Sequence, residues 1–117
     1  MLKHLHIKDI PGILTLQWIE GAAETLETLT IYDLPNLQTL PECLITMTRL
    51  KRLDIVGCHQ LLNLPSDIHL LADLEYLVIN ECPELCRKCD PQSGEYWPMI
   101  AHIKTVLIGE PRGQDEE

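Results

Sequence analysis

The sequence predicts an α/β fold, a solenoid with one curved parallel β-sheet on its concave side and loops or short 3₁₀ and α turns on its convex side. Two observations support this prediction. Four stretches of the 117-residue chain superimpose at a shift of 24 residues without a gap. Within each stretch apolar and variable residues alternate, which is the pattern of a strand that buries one face. Because one strand-and-return unit recurs, its strands should stack in parallel.

Three apolar columns run through the four copies in a fixed register. They are Leu2, Leu26, Leu50 and Leu74; Leu5, Leu29, Leu53 and Leu77; and Ile7, Ile31, Ile55 and Ile79. Each copy reads L-x-x-L-x-I-x-x-(I/L/C), which is the pattern of a leucine-rich repeat. We therefore expect strands, with their Leu and Ile side chains facing inward, at residues 4–8, 28–32, 52–56 and 76–80.

A turn should follow each strand and lead into a return segment on the convex side. Proline marks three of these turns, at Pro11, Pro35 and Pro83, because it fixes φ and cannot donate a hydrogen bond in a central strand. Cys58 and Cys82 occupy the column where many such repeats place Asn or Cys. A small polarisable side chain there can accommodate the backbone of the loop.

The return segments and the last repeat complete the pattern. Segments 41–49 and 65–73 each begin at a Leu-Pro step, and we expect a short helix or a 3₁₀ turn in each. The first copy has Gln17–Trp18 at the equivalent step. The apolar pattern then resumes at a shift of 29 residues, which predicts a fifth strand near 104–108 after an enlarged loop within Cys86–Met99.

These patterns predict one leucine-rich-repeat domain over residues 1–109 and an acidic disordered tail over 110–117. The repeats are assigned to residues 1–24, 25–48, 49–72 and 73–98, with a capping repeat at 99–109. Terminal repeats need a polar outer face, and nothing precedes Leu2 to cover the first apolar layer. We therefore expect either further repeats upstream in a longer parent or self-association through this edge.

Composition and charge narrow the class of partner. The formal net charge is −9, which disfavours nucleic acid and anionic membranes as partners because both require basic patches. The chain has no apolar run typical of a signal peptide or of a membrane span. Five Cys, an odd number, fit reduced thiols better than a disulfide framework. We expect a cytoplasmic protein.

The outward positions of the predicted strands form a surface that we call the concave face. Its members are His4, His6, Lys8, Thr28, Thr30, Tyr32, Arg52, Asp54, Val56, Tyr76, Val78 and Asn80, with Thr105 and Leu107 added from the fifth strand. Tyr and Arg are the residue types that dominate binding hot spots. We expect Tyr32, Arg52 and Tyr76 to anchor a protein partner. The alternative is that all three are ordinary solvated strand positions.

Four short motifs follow one another in the last third of the chain. They are C-P-E-L at Cys82–Leu85, R-K-C at Arg87–Cys89, G-E-Y-W at Gly94–Trp97 and I-A-H-I at Ile100–Ile103. This string closely resembles the end of plant nucleotide-binding leucine-rich-repeat disease-resistance proteins of the coiled-coil class, and the resemblance extends over essentially the whole chain. Two residues depart from the family pattern, since Cys86 is extra and Lys104 stands where Pro is common.

The resemblance implies a module that senses pathogen effectors or effector-modified host proteins in the defence response. Its partner would be an effector, a guarded host protein or the receptor's own nucleotide-binding module. No G-x-x-x-x-G-K-(S/T) phosphate loop is present, so nucleotide binding is not transferred, and we expect no enzyme activity and no cofactor. The alternative is a generic intracellular interaction scaffold of the same fold without an immune role.

Cys86 and Cys89 form a C-x-x-C that allows a third hypothesis, a small zinc or redox enzyme. With Cys82 and His102 they would reach the four ligands of a zinc site. As a redox pair they would depend on neighbouring basic residues to lower a thiol pKa. We favour structural thiols, because Cys82 should point into the core.

Other groupings are given structural interpretations. His4 and His6 share a strand face and could bind metal or sense pH, but we expect an exposed pair. Residues 66–69 place Ser, Asp and His together without the pocket that a nucleophilic triad needs. Trp97 is expected to cover the apolar C-terminal end of the domain.

Overall fold

The structure, a computed structural model, describes residues 2–65, 67–91 and 93–109. Five parallel strands form a single sheet in the order β1-β2-β3-β4-β5. They are β1 (His4–Lys8), β2 (Thr28–Tyr32), β3 (Arg52–Val56), β4 (Tyr76–Asn80) and β5 (Thr105–Ile108). Return segments with short helical turns connect the strands. The prediction of an α/β leucine-rich-repeat fold is confirmed.

The register of the sheet follows the period of the sequence. Across the first four strands, residues 24 apart are paired, so that Leu29 pairs with Leu53 and Leu53 with Leu77. Between β4 and β5 the shift becomes 29, and Leu77 pairs with Val106. Both the fifth strand and its altered shift are therefore confirmed.

The core is a ladder of aliphatic side chains behind the sheet. The inward residues of the three middle strands are fully buried: Leu29, Ile31, Leu53, Ile55, Leu77 and Ile79. Each such side chain contributes about 1.5–3 kcal/mol when it is removed from water. Inward side chains are less buried on the two edge strands, where Leu5 and Val106 are only partly buried. Each edge strand has a neighbouring strand on one side only.

Short 3₁₀ helices form the return side. They span Gln17–Ala22, Glu42–Thr46 and Ile68–Leu70. Of the two alternatives for segments 41–49 and 65–73, the 3₁₀ turn is the one observed. Pro41 precedes its helix in an extended conformation (φ −69°, ψ 149°). Leu44 and Ile68 point from these helices into the core, so each return segment closes one layer of the ladder.

A left-handed residue follows each of the first four strands, a feature that the sequence interpretation did not include. Asp9, Asp33, Gly57 and Glu81 have φ values of 57°, 56°, 74° and 57°. The backbone N–H of Asp33 donates to Val56 O at 2.8 Å, and that of Gly57 donates to Asn80 O at 3.0 Å. The turn therefore extends the hydrogen bonding of the sheet by one step while it redirects the chain.

Two short helices overlap the ends of the enlarged loop within Cys86–Met99, which the sequence interpretation did not include. They are α1 (Pro83–Lys88), with Pro at its start, and α2 (Trp97–Ile100). Trp97, which is expected to cover the apolar C-terminal end, is partly buried and packs against the core, and its neighbour Tyr96 is buried. The capping role of Trp97 stays a prediction. The tail at 110–117, which was predicted to be disordered, lies outside the described residues.

Candidate functional site

The sheet brings the predicted concave-face residues together. Its register arranges them in three adjacent columns: His4, Thr28, Arg52, Tyr76 and Thr105; His6, Thr30, Asp54, Val78 and Leu107; and Lys8, Tyr32, Val56 and Asn80. Neighbouring strands in a sheet are about 4.8 Å apart, so side chains in one column lie within contact distance. The face is therefore a continuous surface across five strands.

Arg52 and Asp54 form an ion pair near the centre of this face. Arg52 Nε donates to Asp54 Oδ1 at 3.1 Å and to Asp54 Oδ2 at 3.2 Å. Asp54 is only 6% exposed, which the sequence interpretation, treating it as an outward contact residue, did not anticipate. Asp54 pairs with Thr30 and Val78 in the sheet, and its carboxylate holds the Nε edge of Arg52.

Tyr76 holds the same guanidinium from the next strand. Arg52 Cζ lies 5.6 Å from the centroid of the Tyr76 ring, within the range of a cation–π contact. The hydrogen bond and charge of Asp54, followed by smaller contributions from Tyr32 and Tyr76, raise the pKa of Arg52. The guanidinium is therefore positively charged and oriented in the unbound protein.

A second aromatic contact lies on the N-terminal side of the face. The rings of His6 and Tyr32 are 5.6 Å apart at an interplanar angle of 49°. His4 and His6 are both exposed. This contact places His6 beside Tyr32, which is the third of the residues predicted to anchor a partner.

A small pocket of about 230 Å³ lies at the C-terminal end of the face, and the sequence interpretation did not identify it. Its lining consists of Val78, Asn80, Leu107, Ile108 and Gly109. Leu107 is 59% exposed. Asn80 Oδ1 is buried without a hydrogen-bond partner among the described residues. The sequence could have indicated this pocket, because the strand pattern already placed the apolar Leu107 at an outward position.

The thiols of Cys58 and Cys82 make hydrogen bonds with the backbone of the turns and lie in the core. The backbone N–H of Cys58 donates to Cys82 Sγ at 3.4 Å, and Cys82 Sγ donates to Asn80 O at 3.3 Å. These bonds confirm that a small sulfur side chain accommodates the loop backbone. Cys82 is fully buried, as predicted.

The environment of the C-x-x-C differs from that of a reactive pair. Burial raises the pKa of Cys86, and it raises the pKa of the fully buried Cys89 to about 12. The basic residues between them do not lower either value, contrary to the mechanism considered for a redox pair. Within residues 2–65, 67–91 and 93–109, no three His, Cys, Asp or Glu side chains are grouped as metal ligands would be.

Two further features bear on chemistry and location. Ser66 lies outside the described residues, and His69 is exposed on the 3₁₀ helix Ile68–Leu70. The described helices include none that is long and apolar enough to cross a membrane.

Comparison with known proteins finds a similarity to a plant disease-resistance protein. No protein-family model matches the chain, and no solved structure matches it. Among curated proteins it is similar to the disease resistance protein RPP4 of Arabidopsis thaliana, with 34% identity over 80 residues, which are 68% of this chain and 6% of that protein. The chain is therefore related to a region of a plant disease-resistance protein, and it spans only a small part of that relative's length.

Proposed function

We propose that this chain is a protein-recognition module of a plant disease-resistance protein and that it binds its partner through the concave face. The observation that carries the proposal is the oriented pair of Arg52 and Tyr76 at the centre of that face, 5.6 Å apart and exposed. Arg and Tyr residues held in place before binding lose less conformational freedom on association. The relationship to a disease-resistance protein supplies the immune context.

The shape and charge of the molecule support a protein partner. The concave face is a broad surface of aromatic, aliphatic and polar side chains, and its pocket of about 230 Å³ is smaller than the roughly 300–1,000 Å³ typical of small-molecule sites. Cavities of about 360–730 Å³ lie outside this face. The formal net charge of −9 opposes binding to nucleic acid and to anionic lipid. We infer a cytoplasmic module without catalytic activity.

The proposed role is to sense a pathogen effector or a host protein that an effector has modified. Contact with the nucleotide-binding module of the same receptor would use the same face. The second candidate is a generic interaction scaffold without an immune role, which the limited coverage of the relative, 6% of its length, leaves open. Both candidates require protein binding, and they differ in whether that binding affects defence.

The test uses two matched triple variants of the chain. One replaces the concave residues (Tyr32→Ala, Arg52→Gln and Tyr76→Ala), and the other replaces three exposed residues of the return side (Thr48→Ala, Arg49→Gln and His69→Ala). Each tagged chain is expressed in plant leaves with and without infection, and co-purifying proteins are quantified by mass spectrometry.

The proposal expects a defined set of host or pathogen proteins that the wild type and the return-side variant retain and the concave variant loses. Pathogen growth in the same leaves should differ between the wild type and the concave variant. Loss of partners without a change in growth would favour the generic scaffold. Equal partner sets for both variants, with folding verified by circular dichroism, would refute binding through the concave face.

A further inference from the structure

The geometry around Arg52 points to the chemistry of the partner, an inference that rests on the proposed function. We propose that the concave face binds an acidic segment of a protein and that a carboxylate side chain of this segment pairs with the terminal nitrogens of Arg52. The proposal draws on two independent observations, the hydrogen bonds that Arg52 already makes and the distribution of charge over the molecule.

Arg52 has unused donors that face solvent. Its Nε takes up both oxygens of Asp54, at 3.1 and 3.2 Å. A guanidinium has five N–H donors in a fixed fork, and the Nη atoms of Arg52 make no hydrogen bond to any residue that the structure describes. The side chain is 48% exposed. Two parallel donors therefore remain for a carboxylate, which is the bidentate geometry that arginine favours.

Two neighbours prevent the guanidinium from turning away. Asp54, with its side chain only 9% exposed, holds the Nε edge. The ring of Tyr76 lies 5.6 Å from Cζ. A long side chain normally loses rotamer freedom when it binds, and here much of that loss has already occurred on folding. Arg52 is therefore held in place while its terminal Nη donors stay directed to solvent.

The charge distribution selects the same partner. The whole chain carries −9, yet Asp54 is the only carboxylate of the concave face, and it is already paired with Arg52. Lys8 adds a second positive charge to this face. Because charges are screened over about 8 Å at physiological salt, an approaching segment senses the local surface. An acidic segment is therefore accepted at this face and disfavoured over most of the remaining surface.

A protein carboxylate fits this site better than a nucleic acid. Binding to nucleic acid requires several phosphate contacts from basic side chains, whereas the centre of this face offers a single guanidinium. The rings of Tyr32 and Tyr76 and the exposed Leu107 flank the site. They provide apolar area for the remainder of a folded or extended protein segment.

The test uses a phage-displayed library of random 12-residue peptides, selected on the purified chain near pH 7. Selected peptides are synthesised, and Kd is measured by fluorescence polarisation for the wild type, Arg52→Gln and Arg52→Lys. Arg49→Gln is the matched control, because it removes an exposed arginine outside the concave face. The double variant Arg52→Gln/Asp54→Asn removes the buried carboxylate together with its partner, so that binding loss is separated from misfolding.

The expected result is enrichment of Asp or Glu at one peptide position. Replacing that residue by Gln should weaken binding to the wild type about tenfold or more, and it should have little effect on binding to Arg52→Gln or to the double variant. Arg52→Lys should lose part of the affinity, because lysine lacks the fork. Arg49→Gln should behave as the wild type.

Two other outcomes overturn the inference and can be told apart. In the first outcome, the peptides lose binding to a Tyr32→Ala/Tyr76→Ala variant but have no enriched acidic position, or their acid-to-Gln change weakens binding equally to the wild type and to Arg52→Gln. Either result refutes the pairing of a carboxylate with Arg52 and leaves the proposed function intact. A library that yields no peptide sensitive to any concave substitution refutes the proposed function and the anchor together.

Discussion

The carboxylate of Asp33 lies directly over the Cα of Gly57, one repeat further along the chain. A Cβ placed on Gly57 would overlap with Asp33 Oδ1 and lie 3.4 Å from Asp33 Cα. Gly57 also has a φ of 74°, a region that L-residues adopt only at a cost. Consecutive turns of the solenoid are therefore packed so closely that the side chain of one repeat limits the residue allowed in the next.

Gly57→Ala should lower the free energy of unfolding by about 1–2 kcal/mol, because it adds left-handed strain and displaces the Asp33 carboxylate. Urea unfolding measures the change. Gly21→Ala is the control, since a Cβ there meets nothing within 4 Å and φ is not left-handed. Gly57→Ala/Asp33→Gly should recover the steric part of the loss. Equal stability of Gly57→Ala and the wild type would contradict this packing.

Cys82→Ala should lower the free energy of unfolding by about 1–3 kcal/mol, because the buried N–H of Cys58 loses its acceptor. Chemical denaturation checks this value. Cys43→Ala is the control, because Cys43 is only partly buried and its sulfur accepts no hydrogen bond from a neighbouring repeat within the described part of the chain. A loss no larger than that of the control would show that the turn hydrogen bond contributes nothing.

Stability should fall as the pH rises above about 9, because the folded chain keeps a proton that the unfolded chain releases. Burial raises the pKa of Cys89 to about 12, whereas an exposed thiol titrates near about 8.5. The contribution of this thiol is fully present below that unfolded value and is lost as the pH approaches 12, at about 1.4 kcal/mol per pH unit.

Urea unfolding at pH 8, 9 and 10 measures this slope. Cys89→Ala should reduce the slope by the share of one proton, whatever its stability at neutral pH. Leu85→Ala is the control, since it removes a neighbouring fully buried side chain and keeps the thiol. An unchanged slope in Cys89→Ala would assign the alkaline sensitivity to other groups.

The chain of residues 1–117 should self-associate through the free side of β1. Leu2 and Ile10 are 46% and 42% exposed, although the equivalent residues of the later repeats are buried, and among the described strands β1 pairs with β2 alone. Sedimentation velocity over a range of concentrations should show association that Leu2→Ser/Ile10→Ser weakens. Leu70→Ser is the control, because Leu70 is equally exposed, at 54%, on a return segment. A concentration-independent monomer would contradict this prediction.

The regular part of the fold was predictable because one physical requirement repeats every 24 residues. Each strand must bury Leu and Ile on one side, and that alternation predicted all five strands and the altered shift before β5. The same alternation placed the concave-face residues correctly on one surface. The left-handed turn was also visible in principle, since Asp9, Asp33, Gly57 and Glu81 form a column that includes glycine.

The sequence by itself determined the strands, their register and the side of the sheet that each residue faces, because these depend on local periodicity and on burial of apolar area. Only the tertiary structure decided how side chains on that face pair. Tyr76 lies on the strand next to that of Arg52, so it meets the guanidinium only once the sheet has formed, whereas Asp54 lies two residues from Arg52 on the same strand. The tertiary structure likewise decided the C-terminal segment, where α1 and α2 form and Tyr96 is buried beside the partly buried Trp97. Contacts of this kind depend on which surfaces meet, and sequence spacing does not contain that information.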